Sequence, residues 1–246
     1  MKPHVSFLVC TLARSGSGLL CDALWNTGLA GKPDEYFNPD TVNKHLRTNK
    51  SNDYIDYLNK ILNENSTENK VFGAKLMWDD FFFLKGKIST IKSFSHLKIS
   101  DSMNILFPNL HYIWIRRQDK IKQAISLWKM YKTGIPTWRN DRPLSYKIPL
   151  EFNFKKIKTL VNQLTEDEQN WQNYFANNRI KPFIITYEKD LEHSYKNTIK
   201  RTLEYLNIPV PENLILWTKY KKQSDKLSEE FEKLYYKELK NKISRS

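Results

Sequence analysis

Short apolar runs alternate along this chain with stretches whose apolar residues recur every three or four positions. The run over 5–11 predicts a strand. Leu19, Leu20, Ala23 and Leu24 then fall on one side of a helix that stops near Gly28, a residue suited to ending helices. Residues 29–52 are polar and predict irregular chain, and Tyr54, Ile55, Leu58, Ile61 and Leu62 predict a second helix. The runs 71–78 and 112–115 predict buried strands, the latter ending in Arg116 and Arg117. Ile121, Ile125 and Trp128 mark the helix after it. Residues 133–152 hold Pro136, Pro143 and Pro149, show no period and predict a long loop. A long helix follows, carrying Phe154, Ile157, Leu160, Val161, Leu164, Trp171, Tyr174 and Phe175. The run 182–187 predicts a fourth strand, and Tyr195, Ile199, Leu203 and Leu206 another helix, which Pro209 and Pro211 close. The tail from Lys219 is charged and helix-prone.

Strands alternating with helices predict an α/β fold with a mainly parallel central sheet covered on both faces. The 246 residues suffice for one well-cored domain spanning 1–246, and no internal repeat or boundary interrupts them. Ligands on such sheets bind beyond the carboxyl ends of the strands, which places Arg14, Trp78, Arg116 and Arg117 along one edge.

Composition narrows the functional classes. No stretch reaches the ~20 apolar residues of a membrane span, and the opening residues read as a core strand rather than a signal peptide, so a cytoplasmic enzyme is expected. Cys10 and Cys21 read as small buried residues of a reducing compartment. The five histidines are scattered, no cluster has metal-ligand spacing, and no metal is expected. The net charge of +13 favours an anionic partner. The lysines are spread along the chain and no nucleic-acid-binding pattern appears, which favours a highly charged small molecule over a polymer.

Residues 7–20 carry the chemistry. An apolar strand runs into Arg14-Ser15-Gly16-Ser17-Gly18 and then into a helix start. Small residues let the backbone curl around a ligand, and the first N–H groups of a helix have no partners inside it. Arg14 adds a fork of donors suited to phosphate or sulfate. The turn lacks the Gly-Lys-Ser/Thr ending of a nucleoside triphosphate loop, so it reads as a phosphate cradle without magnesium. The alternative is a Ser- and Gly-rich surface turn. A second anion site is predicted where Arg117 ends its strand and Ser126 lies on the following helix. Its alternative has Arg117 paired with Asp119 and Ser126 facing solvent. Two such sites on one sheet edge point to a ligand with phosphates at both ends.

Together these features resemble sulfotransferases that use 3′-phosphoadenosine 5′-phosphosulfate (PAPS). Arg14-Ser-Gly-Ser with Leu19-Leu20, Thr27-Gly-Leu-Ala-Gly-Lys-Pro-Asp-Glu35-Tyr-Phe37, Gly73-Ala-Lys75-Leu-Met-Trp78 and 116–128 resemble the bacterial trehalose 2-sulfotransferase family. Glu168-Gln-Asn-Trp171, Lys222-Gln-Ser-Asp225 and Ser228-Glu-Glu-Phe231 extend the likeness. The resemblance implies a P-loop-like three-layer sandwich similar to nucleotide kinases, no metal, a sugar acceptor and a possible homodimer. It implies that Arg14, Ser15, Gly16, Ser17 and Gly18 hold the 5′-phosphosulfate, and that Arg117 and Ser126 grip the 3′-phosphate, with Arg116 as the fallback. It also implies that Glu35 is the catalytic base. Gly18 stands where the family commonly has Thr, which removes one hydroxyl from the loop.

Three functions follow from these readings. The first is a PAPS-dependent sulfotransferase acting on a hydroxyl of a carbohydrate or small molecule, with Arg14 stabilising the leaving phosphate and Glu35 taking the proton. The second is an ATP-dependent small-molecule kinase, and the third a basic nucleic-acid-binding protein. On spacing alone Glu35 is equally a solvated loop carboxylate. Lys75 either helps the leaving group or lines the sheet edge. Trp78 and Trp128 either flank the ligand or pack in the core, Trp25 and Trp114 are expected in the core, and Lys221, Lys222 and Asp225 either close over the nucleotide or form a solvated helix face.

Overall fold

The computed structural model describes residues 2–48, 53–135, 149–220 and 225–244. The chain runs β1 (Val5–Thr11), α1 (Ser17–Asn26), α2 (Pro39–Thr48), α3 (Tyr54–Glu64), β2 (Val71–Met77), α4 (Trp78–Ser89), α5 (Ile99–Leu106), β3 (Leu110–Arg116), α6 (Lys120–Thr133), α7 (Phe154–Asn177), β4 (Phe183–Thr186), α8 (Tyr195–Tyr205) and α9 (Lys226–Ile243). Directly after β4, Tyr187–Leu191 forms a single π-turn closed by the Glu192 amide donating to Tyr187 O at 2.9 Å.

The four strands are all parallel and lie in the order β2-β1-β3-β4. Helices cover both faces, giving the three-layer α/β sandwich that the alternation predicts. Side chains alternate across a strand, and β1 shows it: Phe7 and Val9 face one core, Leu8 and Cys10 the other. The first core packs α1 and α8 through Leu20, Leu24, Ile199 and Leu203. The second packs α3 to α7 and α9, around a fully buried Trp171. Chain order sends β1 to β2 on one side and to β3 on the other. The carboxyl ends of β1 and β3 therefore flank the point where the strand order reverses, where open α/β sheets bind ligands.

The helix at Pro39–Thr48 departs from the irregular chain expected for 29–52. Its apolar face is two residues, buried Val42 and the partly buried Leu46 one turn on, too short a stripe for the periodicity reading to pick out. Its start is nonetheless written in the chain. Asn38 accepts from the Asp40 amide at 3.0 Å, and Pro39 occupies the first helical position. The strand expected to run through Trp78 stops at Met77, and Trp78, Phe81, Leu84 and Ile88 instead form the buried face of α4. Trp114 is in the core as expected. Trp25 is not: it lies 42% exposed at the solvent end of α1. Trp78 is core, tilted against Phe81 and edge-on to Phe82 and Trp171. Trp128 is half-buried and donates to Glu151 O at 3.2 Å. Most of the 133–152 loop, 136–148, lies outside the described residues, as do Lys221 and Lys222.

Two glycines set how the connection after α1 meets the sheet. Gly31 has φ +64°, and a Cβ there would sit 2.6 Å from Gly73 N and 3.0 Å from Val71 O. A Cβ on Gly73 would strike the Phe7 ring at 2.3 Å. The chain at 31–34 thus lies directly on the backbone of β2, and Asp34 O accepts from the Lys75 amide at 2.9 Å. We predict that Gly31→Ala costs about 2–3 kcal/mol of stability, because the clash is with backbone and φ is positive. Urea unfolding of the two proteins checks it, and a loss within 0.5 kcal/mol of zero contradicts this packing.

Candidate active site

The turn between β1 and α1 is fixed from outside. Trp171 Nε1 donates to Thr11 O at 3.1 Å, Gln123 Nε2 to Ala13 O at 2.7 Å and Arg117 Nη1 to Arg14 O at 3.0 Å. Each peptide is planar and trans, so a carbonyl tied one way sends the following N–H the other way. The Arg14 and Ser15 amides accordingly point away from α6 and β3. Gly16 O accepts from the Leu19 and Leu20 amides at 3.0 and 3.3 Å, which aims the Ser17 amide out of the start of α1. The curl needs two left-handed residues, Arg14 at φ 63° and Gly16 at φ 88°. Position 16 must be glycine, since a Cβ would lie 2.5 Å from the Tyr187 ring. The Ser15 and Ser17 side chains are buried, and the Thr11 and Ser15 hydroxyls bond each other.

The two anion-binding features expected as separate sites share members. Arg14 Nε donates to Ser126 Oγ at 2.9 Å, while Arg117 holds the Arg14 carbonyl. Ser126 thus faces the turn, and Asp119 caps α6 by accepting from Lys122 N at 2.8 Å instead of pairing with Arg117. The Arg117 guanidinium lies over the Tyr187 ring at 4.7 Å and 3.8 Å from Glu188. Its Nε is buried with no hydrogen-bond partner among the described residues. Glu188 also accepts from the Gln118 and Asp119 amides at 3.0 and 3.1 Å, which locks the bend after β3.

Arg116 is not brought to this cluster. Successive strand residues face opposite sides, and Arg116 turns toward α7. There it meets Glu168 through two nitrogens at 2.9 and 2.7 Å and lies over Trp114 at 4.7 Å. Lys120 joins the same carboxylate.

Glu35 reaches the sheet edge because the 31–34 segment rides on β2. Its carboxylate pairs with Lys75 Nζ at 2.7 Å. Burial lowers the proton affinity of Lys75, and Cys21, Glu35 and Asp34 overcome this, so its pKa ends above the ordinary value. The pair flanks α1: burial pushes the Cys21 thiol up to about 12, and the Lys75, Asp34 and Glu35 charges all act on it. Beside them lies Asp80, 4% exposed, whose Oδ1 accepts from Asn38 Nδ2 at 3.2 Å and whose Oδ2 has no partner among the described residues. Burial, with the Glu35 charge second, pushes its carboxyl up to about 6. An anion-directed turn, a guanidinium pair and a carboxylate–ammonium pair therefore share one rim of the sheet.

A family model described as Stf0 sulphotransferase matches residues 6–238. The chain belongs to the Stf0 sulphotransferase family. It is 24% identical over 206 residues to a trehalose 2-sulfotransferase of Mycobacterium tuberculosis, covering 74% of this chain and 76% of that one. It is 25% identical over 217 residues to a trehalose 2-sulfotransferase of Mycolicibacterium smegmatis, covering 76% and 79%. A solved sulfotransferase structure from Alicyclobacillus acidocaldarius aligns with a TM-score of 0.49 at 12% identity, covering 96% of this chain and 92% of that one.

The sulphotransferase rim contains residues that the sequence reading passed over. Gln123 and Trp171 lie inside motifs quoted above, but nothing in one dimension says that they bond the turn's carbonyls. Tyr187 and Glu188 follow the fourth strand directly, and a Tyr-Glu pair at a strand end was the available signal. Among the described residues no group of three His, Cys, Asp or Glu is arranged to hold a metal, and no helix is long and apolar enough to cross a membrane.

Asp80 yields a signed pH effect. A carboxyl whose folded pKa exceeds its unfolded value stabilises the fold when protonated and loses that contribution as pH rises through the folded pKa. Asp80→Asn is therefore expected to gain stability over the parent between about pH 4 and pH 6 and to hold a constant advantage of roughly 2–3 kcal/mol above that window. Denaturation at stepped pH checks it, and a difference that shrinks with rising pH contradicts it.

Proposed function

We propose that this sulphotransferase moves a sulfuryl group from PAPS to a hydroxyl of a carbohydrate, by in-line displacement with Glu35 as general base. One observation carries the reading: Arg14, Ser126 and Arg117 form a single contact chain at the strand-order reversal, on a turn whose Thr11, Ala13 and Arg14 carbonyls are tied away. The residues fit a nucleotide with two phosphate ends. Gly16 allows the left-handed curl of the turn against the Tyr187 ring, and Arg117 Nε is a buried donor with no hydrogen-bond partner among the described residues. Arg14 with the amides of Ser15, Gly16, Ser17 and Gly18 would hold the phosphosulfate end, and Arg117 with Ser126 the 3′-phosphate.

When bound, PAPS supplies the electrophilic sulfuryl group on a bisphosphate leaving group. The rest falls to this chain. Glu35 accepts the acceptor hydroxyl's proton as its oxygen bonds to sulfur, while the bond from sulfur to the 5′-phosphate oxygen breaks. Arg14 and the turn's amides take the charge that gathers on that phosphate. Lys75 keeps Glu35 in one orientation, a placement that stands in for the leaving-group role first considered for it. The acceptor is taken as a carbohydrate because both curated relatives are named for trehalose. No observation favours the kinase or the nucleic-acid reading. Cytoplasmic location, one domain over 1–246 and a homodimer complete the proposal, and light scattering tests the last.

The test is transfer from labelled PAPS to trehalose and other sugars, with calorimetry of the desulfated product, 3′-phosphoadenosine 5′-phosphate. Arg14→Ala is expected to weaken nucleotide binding about 100-fold or more, given two or more charge-assisted bonds. Glu35→Ala is expected to lower kcat by 10²–10⁴ while leaving nucleotide affinity within about twofold. Lys75→Met is expected to lower kcat by about 10-fold or more at unchanged nucleotide affinity. A folded protein that binds no 3′-phosphoadenosine 5′-phosphate would falsify the assignment.

A further inference from the structure

The segment just before α9 is fastened onto α1 more firmly than a connecting loop requires. Asp22, buried on α1, accepts through Oδ2 from Thr218 Oγ1 at 2.8 Å and Lys219 N at 2.9 Å, and through Oδ1 it pairs with Lys219 Nζ at 3.0 Å. Asn26 Nδ2 adds a contact to Asp22 at 3.3 Å and another to Trp217 O. Thr218 Oγ1 in turn accepts from the Tyr220 amide at 3.2 Å. These bonds deliver Tyr220 to the start of α1. Its Cε1, Cζ and Cδ1 lie 3.2, 3.4 and 3.6 Å from where a Cβ on Gly18 would be. The phenol edge of a half-buried ring therefore covers the second residue of the helix whose amides open the anion-binding turn.

We propose that Tyr220, held over Gly18 by Asp22, is a nucleotide-gripping residue that presents its phenol to the phosphate end of the sulfuryl donor. The inference rests on the donor reading above. The glycine at 18 and the tyrosine at 220 are one feature. A side chain at 18 needs the ring to move by a few tenths of an ångström or more, and the ring brings a hydroxyl donor where position 18 has none. Asp22 acts through Tyr220 as a positioning residue. It sits more than one helical turn down α1 from Gly18 and supplies the fixed point from which residues 218–220 reach the helix start.

Calorimetry with 3′-phosphoadenosine 5′-phosphate tests this on the full chain. Tyr220→Leu is expected to weaken binding about tenfold, and Tyr220→Phe to account for most of that loss, as one hydrogen bond to a charged oxygen implies. Asp22→Asn is expected to shift affinity in the same direction. Gly18→Thr is expected to weaken binding in the parent, where it collides with the ring, and to restore part of it in Tyr220→Leu, where the space is open. That reversal of sign is one a purely structural tyrosine does not produce. Parent binding lost on Arg14→Ala, with Tyr220→Leu and Tyr220→Phe both within twofold of the parent and folded by circular dichroism, overturns the role of Tyr220 and leaves the donor reading standing. A parent that binds no nucleotide removes both.

Discussion

Everything at the rim depends on the direction of a few peptide planes after β1. A turn rich in Ser and Gly is not by itself an anion site, because each peptide offers an acceptor as readily as a donor. Three side chains from elsewhere in the fold remove that symmetry. Trp171, Gln123 and Arg117 occupy the carbonyls of Thr11, Ala13 and Arg14 and leave the amides that follow them pointing the other way. Donors fixed before a ligand arrives need no reorganisation when charge develops on it. The same bonds tie the turn to α7, α6 and the end of β3, so core packing and anion recognition are one construction.

Much of this was legible in one dimension. Short continuous apolar runs mark the parallel strands, which are buried on both faces, and a strand entering Arg14-Ser-Gly-Ser marks the turn, because both are local properties of the chain. Where the periodicity failed, burial explains it. The helix at Pro39–Thr48 faces the core with only Val42 and Leu46, so its stripe is two residues long and Asn38-Pro39-Asp40 is its clearest signal. Trp25 was assigned to the core by residue type. It lies 42% exposed near the end of α1, and type alone does not place it.

The candidate base shows what a sequence reading leaves out. Glu35 is far in sequence from both Lys75 and Asp80. It reaches them only because Gly31 can lie flat on the backbone of β2 and Asp34 can pair with it there. The glycines at 31 and 73 thus carry functional information although neither has a side chain. Asp80 is the consequence that spacing does not hint at: a buried carboxyl near Glu35, with one oxygen unmatched among the described residues. Such groups are expensive, and they concentrate where a fold has given up stability for chemistry.

Two adjacent arginines, equivalent on paper, are separated by their partners. Arg116 already holds a carboxylate through two short bonds of 2.7 and 2.9 Å, so gripping a phosphate would first require leaving Glu168 with only Lys120 as its cation. That exchange gives up an existing bidentate contact for a new one, with solvent screening the part of Arg116 that is exposed. Arg117 faces no such exchange. Its carboxylate neighbour lies 3.8 Å from its Nε and is engaged by two backbone amides, and that Nε has no hydrogen-bond partner among the described residues. On the proposed reading, an anion at the turn would add to the partners of Arg117, whereas at Arg116 it would displace Glu168. Strand alternation sends the two side chains to opposite faces, and the partners waiting there decide which one binds.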